Sequence, residues 1–212
     1  MNRRLIFTIC VLVSTTSLRA SILFDLSGEL LKNNSGVAIP TNALILLVAD
    51  TTNNGFATIT DGSSLALNAA LNSGDDRVLA RFDLSNSGTA GVFAEGPSLN
   101  LGSGWDTGDP LALLWFPALT LASSAASAGD NYGLFSGPAL NGSDAWITPN
   151  DATIGHKLWF FTSDATLLPS PPPGSHASGL GNASLSVTGV PEPSRSLLGL
   201  IGLGVLALRR RR

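Results

Sequence analysis

Nine short apolar runs, each closed off by a cluster of Gly, Asn, Asp, Ser or Pro, leave this chain little to be except a β-sheet protein. The runs are Ile22–Leu26, Ala43–Ala49 (ALILLVA), Phe56–Thr60, Arg77–Leu84 (RVLARFDL), Gly91–Ala94, Leu111–Phe116 (LALLWF), Asn131–Phe135, Lys157–Thr162 (KLWFFT) and Ala183–Thr188 (ASLSVT). Segments of that length, separated by turn signals, predict an all-β fold, a sandwich of jelly-roll-like type. RVLARFDL and ASLSVT alternate apolar with polar, as a half-exposed strand does. ALILLVA and LALLWF are apolar throughout, which predicts central strands covered on both faces. Between the runs stand Asn53–Gly55, Asp61-Gly62 and Asn141-Gly142, residues that accept the positive φ of tight turns. Ser63–Asn72 (SSLALNAALN) is the one stretch that reads as a helix, with a serine cap and Ala/Leu content. Leu168–Gly181 reads as a stiff proline loop feeding a last strand. The predicted β-domain spans residues 21–189, enough chain to bury a core of its own.

The two ends are built differently. Of 12 basic residues, Arg3, Arg4 and Arg19 lie at the front and Arg195 and Arg209 to Arg212 at the back. The stretch 21–190 keeps four basic residues against 14 acidic ones, a formal charge of −10. Such a body repels phosphate backbones, which argues against a nucleic-acid partner. Residues 1–20 predict a secretory signal peptide: Arg3 and Arg4 are the charged region, Leu5–Val13 the apolar region, and Ala20 the small residue before the cut. Cleavage after Ser17 is the alternative. The Sec translocon and signal peptidase are the expected handlers, with a twin-arginine route the weaker reading. The single cysteine, Cys10, lies inside this segment, so the remaining body would fold without disulfides or Cys-ligated metal.

Residues 190–212 end the chain with Val190-Pro191-Glu192-Pro193, a charge-free run from Ser196 to Leu208, and Arg209, Arg210, Arg211 and Arg212. As a helix the run would span ~20 Å, against ~30 Å of bilayer hydrocarbon. That makes a poor permanent transmembrane anchor. The arginine cluster is a cytoplasmic stop, which places the body outside the inner membrane. A short apolar tail behind a small motif has the logic of a processing signal.

Within the body the candidate sites are sparse. The loops Asp50–Asn54, Asp75-Asp76 and Asp106 to Asp109 are rich in oxygen ligands, so Ca²⁺ is the one cofactor they could hold. None has EF-hand spacing, and Asp and Asn also form turns. Asp106-Thr107-Gly108 occurs once, whereas aspartic-protease chemistry needs two such carboxylates. His156 and His176 form no zinc motif, and no G-x-S-x-G elbow is present. His156 is expected to be solvated beside Lys157. Trp115 and Trp159 are expected in the core. Trp105 and Trp146, in turn-rich stretches, are the tryptophans expected to be exposed, where with Asp106 and Asp109 they could bind a ligand such as carbohydrate. Asn33, Asn141 and Asn182 fit N-x-S/T and read as polar loops.

Val190-Pro191-Glu192-Pro193, the apolar run and the arginine cluster, paired with a signal peptide, resemble the sorting signal of bacterial PEP-CTERM proteins. The resemblance covers about 23 residues. It implies handling by an exosortase, a membrane-embedded enzyme that would recognise Pro191-Glu192-Pro193 and cut nearby. It also implies delivery to the cell surface or exopolysaccharide matrix of a Gram-negative bacterium. The expectation is a non-enzymatic exported protein. The alternatives are a carbohydrate- or Ca²⁺-binding adhesin module and, third, an extracellular hydrolase, whose signature would be two buried, adjacent carboxylates in a cleft.

Overall fold

The computed structural model describes residues 21–189 apart from 73, 103, 141, 151–152, 163–173 and 178. The signal segment and the tail, with Val190–Pro193 and Arg209–Arg212, therefore lie outside the described residues. The strands are β1 (Ser21–Glu29), β2 (Leu44–Asp50), β3 (Asp76–Phe82), β4 (Phe93–Glu95), β5 (Ser98–Asn100), β6 (Leu111–Phe116), β7 (Asn131–Phe135), β8 (Ile154–Thr162), β9 (Ser175–His176) and β10 (Leu185–Ser186). They form two five-stranded sheets, one ordered β4–β1–β8–β9 with β5 also on β1, the other β10–β7–β6–β2–β3. The all-β expectation holds, as a two-sheet sandwich. Its order departs from an all-antiparallel jelly roll, because β1 pairs β8 in parallel and β8 pairs β9 in parallel.

Every residue of β2 and β6 is buried. The period of two explains how. Ile45, Leu47 and Ala49, with Leu111, Leu113 and Trp115, face the other sheet and meet Phe24, Leu26, Leu158 and Phe160 there. The alternate residues Leu44, Leu46, Val48, Ala112, Leu114 and Phe116 face outward into a second apolar cluster. Ile59, Leu65, Leu71, Ala126 and Val187 close that outer cluster from loops. The continuous apolar runs were thus legible as strands covered twice. Aromatic rings lock the inner layer: Phe135 stacks on Phe160 at 4.1 Å between centroids, and Trp115 lies 5.9 Å from Phe160.

Two irregularities tune the ladders. The β1–β8 register shifts between Leu23 and Phe24, whose partners are Ile154 and His156. Gly155, with φ of 72°, is the extra residue, a bulge that glycine accommodates without strain. In β2–β3, Leu47 pairs Ala80 and Val48 pairs Val78. Leu79 is thereby the inserted residue and joins the inner core while Val78 serves the outer one.

The expected helix over Ser63–Asn72 does not form. Leu65 and Leu71 are pulled into the outer cluster, Ser64 bridges Ala125, Ala70 bridges Arg77, and Asn68 takes a left-handed φ of 61°. A left-handed residue in mid-segment ends any helix. Phe56–Thr60 is also not a strand. Side chains take two of its donors: Ala57 N–H donates to Asp76 Oδ2 (2.6 Å) and Ile59 N–H to the Tyr132 hydroxyl (3.4 Å), while Thr60 makes only an isolated bridge to Thr188.

Candidate functional site

β2 ends at Asp50 and β3 begins at Asp76, and the antiparallel register sets these two directly opposite each other. Both are about 1% exposed. The Asp50 carboxylate organises the loop that follows it: Oδ1 accepts the N–H groups of Thr52 (3.1 Å) and Asn53 (2.8 Å), and Oδ2 accepts that of Gly55 (2.7 Å). Asp75 ties the same loop from the other strand. Its Oδ2 accepts from the Asn54 amide (2.8 Å) and the Thr52 hydroxyl, while its carbonyl accepts Thr51 N–H. The third acidic segment arrives through Asp50 N–H, which donates to Pro110 O at 2.9 Å. All three Asp-rich loops singled out in the sequence therefore meet at one end of the sandwich.

Asp76 is the group under most electrostatic pressure there. One oxygen accepts Ala57 N–H; the other, Oδ1, is buried with no hydrogen-bond partner. Burial, above all, holds its carboxyl above the ordinary carboxylate range. The Ala57 hydrogen bond pulls the other way, and the charges of Asp50 and Asp75 push it up further. Arg77, next in sequence, does not relieve this: its Nη1 donates to Asn68 O (3.1 Å) and its guanidinium lies against Gly104. Asp50 and Asp76 are two buried, adjacent carboxylates. Both Asp50 oxygens accept backbone N–H groups, whereas one Asp76 oxygen has no partner. Among the described residues no three acidic or imidazole groups converge as a ready metal-ligand set.

The turn Trp105–Pro110 is held by Asp109, whose Oδ2 accepts Asp106 N–H at 2.7 Å, with Gly108 at a φ of 93°. Gly108 N–H donates to Thr148 O, Thr148 N–H to Asp109 O, and Leu111 N–H to Trp146 O. The backbone thus brings Trp105, Asp106, Asp109 and Trp146 together as neighbours. It also turns both indoles inward. Trp105 is 3% exposed and Trp146 1%, which corrects the expectation that these two would be the exposed tryptophans. Trp105 reaches the surface only as the floor of a groove of about 260 Å³, rimmed by Leu67, Asn68, Ser98 and Asn100. Trp159, expected in the core, is instead half-buried on the outer face of the first sheet, with Lys157 Nζ 5.2 Å from its ring.

His156 is buried rather than solvated. Its Nε2 faces the carbonyls of Ala145 (3.2 Å) and Ile147 (3.1 Å), and its Nδ1 lies 3.4 Å from Asp144 Oδ2. Ser143 stands in the same corner, but its hydroxyl donates to Lys157 O and accepts Trp159 N–H. The His156 Nε2 is thus directed at backbone carbonyls. His176 lies edge-on to Phe135 at 4.4 Å, and burial lowers its imidazole below the ordinary range. Compared with models of known families, with curated proteins and with solved structures, the chain matches none.

Proposed function

We propose that this chain is an exported, non-enzymatic surface or exopolysaccharide-matrix protein of a Gram-negative bacterium, whose β-sandwich is cargo between two address segments. The observation that carries the reading is the sequence of the tail: Val190-Pro191-Glu192-Pro193, a charge-free run from Ser196 to Leu208, then Arg209–Arg212. A proline fixes φ and removes a backbone donor, so Pro191 and Pro193 would suit a processing groove that takes an extended segment, with Glu192 as its charged handle. An exosortase is the enzyme such a tail would meet.

Within the described residues 21–189 the body packs as two sheets, and near its end Thr188 N–H donates to Ile59 O. The body contains no cysteine, so it would need no oxidative step after export. The carbohydrate-platform alternative lacks its aromatic surface, since Trp105 and Trp146 are buried.

The test is the Pro191-Glu192-Pro193 to triple-alanine variant, expressed in a host that carries an exosortase. The parent is expected as a shortened form beyond the inner membrane, with an intact mass that starts at Ser21 and lacks the arginine cluster. The variant is expected to stay full-length at its C-terminal side, in the membrane fraction. Identical processing of the two would refute the reading.

A further inference from the structure

We propose that the Asp109–Pro110 peptide bond is a self-cleavage site: the Asp109 side chain attacks its own main-chain carbonyl, and the body becomes two interlocked halves. The site rests on the geometry of the described residues and stands whether or not the tail is a sorting signal.

The chemistry starts from covalent reach. An aspartate side chain can close a five-membered ring onto its own carbonyl carbon. A proline on the far side is a favourable leaving group, since its nitrogen belongs to a tertiary amide with no N–H. In the cut, Asp109 Oδ1 forms a bond to the Asp109 carbonyl carbon, and the bond from that carbon to the Pro110 nitrogen breaks. The carboxyl proton, carried by water, ends on that nitrogen. Water then opens the cyclic anhydride, leaving Asp109 as a free C-terminus and Pro110 as a secondary-amine N-terminus. The net change is hydrolysis of one peptide bond by one water.

The turn holds the reacting groups for this step. Thr148 N–H donates to Asp109 O at 2.8 Å, and Thr148 is 1% exposed. A fixed donor therefore already sits where charge gathers as the carbonyl carbon becomes tetrahedral. Asp50 N–H donates to Pro110 O at 2.9 Å and Leu111 N–H to Trp146 O at 2.8 Å, which anchors the leaving side. The Asp109 carboxylate is folded back on its own turn: Oδ2 accepts Asp106 N–H at 2.7 Å, and Oδ1 has no hydrogen-bond partner among the described residues. An anchored side chain has already lost rotational freedom that an unfolded aspartate must give up, and this favours ring closure. Asp109 and Pro110 are both partly exposed, so water reaches the bond. Thr148 adds a hydroxyl that is buried with no hydrogen-bond partner, spare capacity on the segment that touches the carbonyl. The charged neighbours are Asp106 in the same turn, Asp50 at the end of β2, and Arg77, whose guanidinium lies against Gly104 and donates to Asn68 O.

The place of the cut gives it a consequence. It falls between β5 and β6, so each half supplies part of both sheets. The first half carries β4, β1 and β5 of one sheet with β2 and β3 of the other; the second carries β8 and β9 with β6, β7 and β10. The seams are the β1–β8 and β2–β6 ladders, and the inner core is shared between the halves. A cut chain therefore stays one particle.

The experiment is incubation of the full chain at pH 5 and pH 7.5, folded and in guanidinium, for the parent, Asp109→Asn and Pro110→Ala, read by intact mass. The folded parent at pH 5 is expected to give two fragments, the second beginning at Pro110. One fixed donor at a developing oxyanion is worth about 10²–10³ in enzymes, so this should run at least about tenfold faster than in guanidinium at the same pH. The rate should fall at pH 7.5, where the proton that the step consumes is scarce. Asp109→Asn, which keeps an acceptor for Asp106 N–H, and Pro110→Ala should give the circular dichroism of the parent and stay uncut. The cut parent should elute in gel filtration with the uncut chain and separate only in guanidinium. Cleavage no faster in the folded chain than in guanidinium, the result of ordinary acid lability at an Asp-Pro bond, overturns the proposal. Cleavage that persists in folded Asp109→Asn overturns it as well, and halves that part without denaturant refute the interlocking.

Discussion

Gly133 carries no side chain because Trp115 occupies the place of one. The two are partners across β6 and β7, and a Cβ at Gly133 would stand 2.0 Å from the Trp115 ring. Trp115 is fully buried and its Nε1 donates to Lys32 O at 3.2 Å, so the ring has nowhere to go. Gly133→Ala is therefore expected to destabilise the fold by about 1–3 kcal/mol or more, an overpacking cost. Chemical denaturation of the variant checks it, and an unchanged midpoint would contradict the packing. His176 gives a second test at this scale. Its folded-state pKa lies below the ordinary 6.5, so the unfolded chain takes up its proton first. The stability it contributes is present above about pH 6.5 and is lost as pH falls toward the folded value. His176→Phe removes that penalty beside Phe135 and Phe160. The difference in melting temperature between variant and parent should then be more favourable at pH 5 than at pH 7.5; an equal difference would argue against a buried, neutral imidazole. Single residues were also where sequence reading went astray. Nothing in the order of residues showed that His156 would be lined by the carbonyls of Ala145 and Ile147, or that Trp105 and Trp146 would fold inward from turn-rich stretches.

At the scale of elements, the long apolar strands were legible, as were β4, which overlaps Gly91–Ala94, and β10, within Ala183–Thr188, but β5 and β9 were not. LALLWF and NYGLF stand in the sequence with the bounds of β6 and β7. For β6, burial on both faces demands an uninterrupted apolar run, and that is a signal a sequence carries openly. β5 and β9 hold three and two residues, Ser98-Leu99-Asn100 and Ser175-His176. Runs so short and polar have no periodicity to read; they are strands because β1 and β8 offer them an edge. The segment Ser63–Asn72 failed for the opposite reason. Its Ala and Leu content favours a helix locally, but the open outer face of β2 and β6 needs covering, and tertiary burial outweighs propensity. That covering layer is expected to matter for stability. Leu71→Ala should cost about 2–5 kcal/mol, as for a core leucine, although it lies in no strand. Denaturant unfolding measures this, and a cost within 0.5 kcal/mol, typical of surface changes, would show the layer to be dispensable. The acidic corner was half legible. Each of its loops stood out by composition, but their meeting depends on the β2–β3 register and on one hydrogen bond from Asp50 to Pro110.

For the whole molecule, the proposed division into a cargo and two address segments comes from composition and order of residues. The charge asymmetry was visible at once, because basic residues cluster outside 21–190. The sheet order was not, since no local pattern encodes which strands pair at long range. That order has a consequence for delivery. β1 lies inside its sheet, with β4 and β5 on one side and β8 on the other; the β8 side joins Leu23 to Ile154 and Glu29 to Phe161. A chain threaded through a pore with its front end leading shows β1 to the far side long before β8 follows. One flank of that strand must wait, unzipped, for most of the polypeptide to pass. Closure is then a late, non-local event, slow as such pairings are, and the waiting flank is where a second copy travelling alongside would most readily attach.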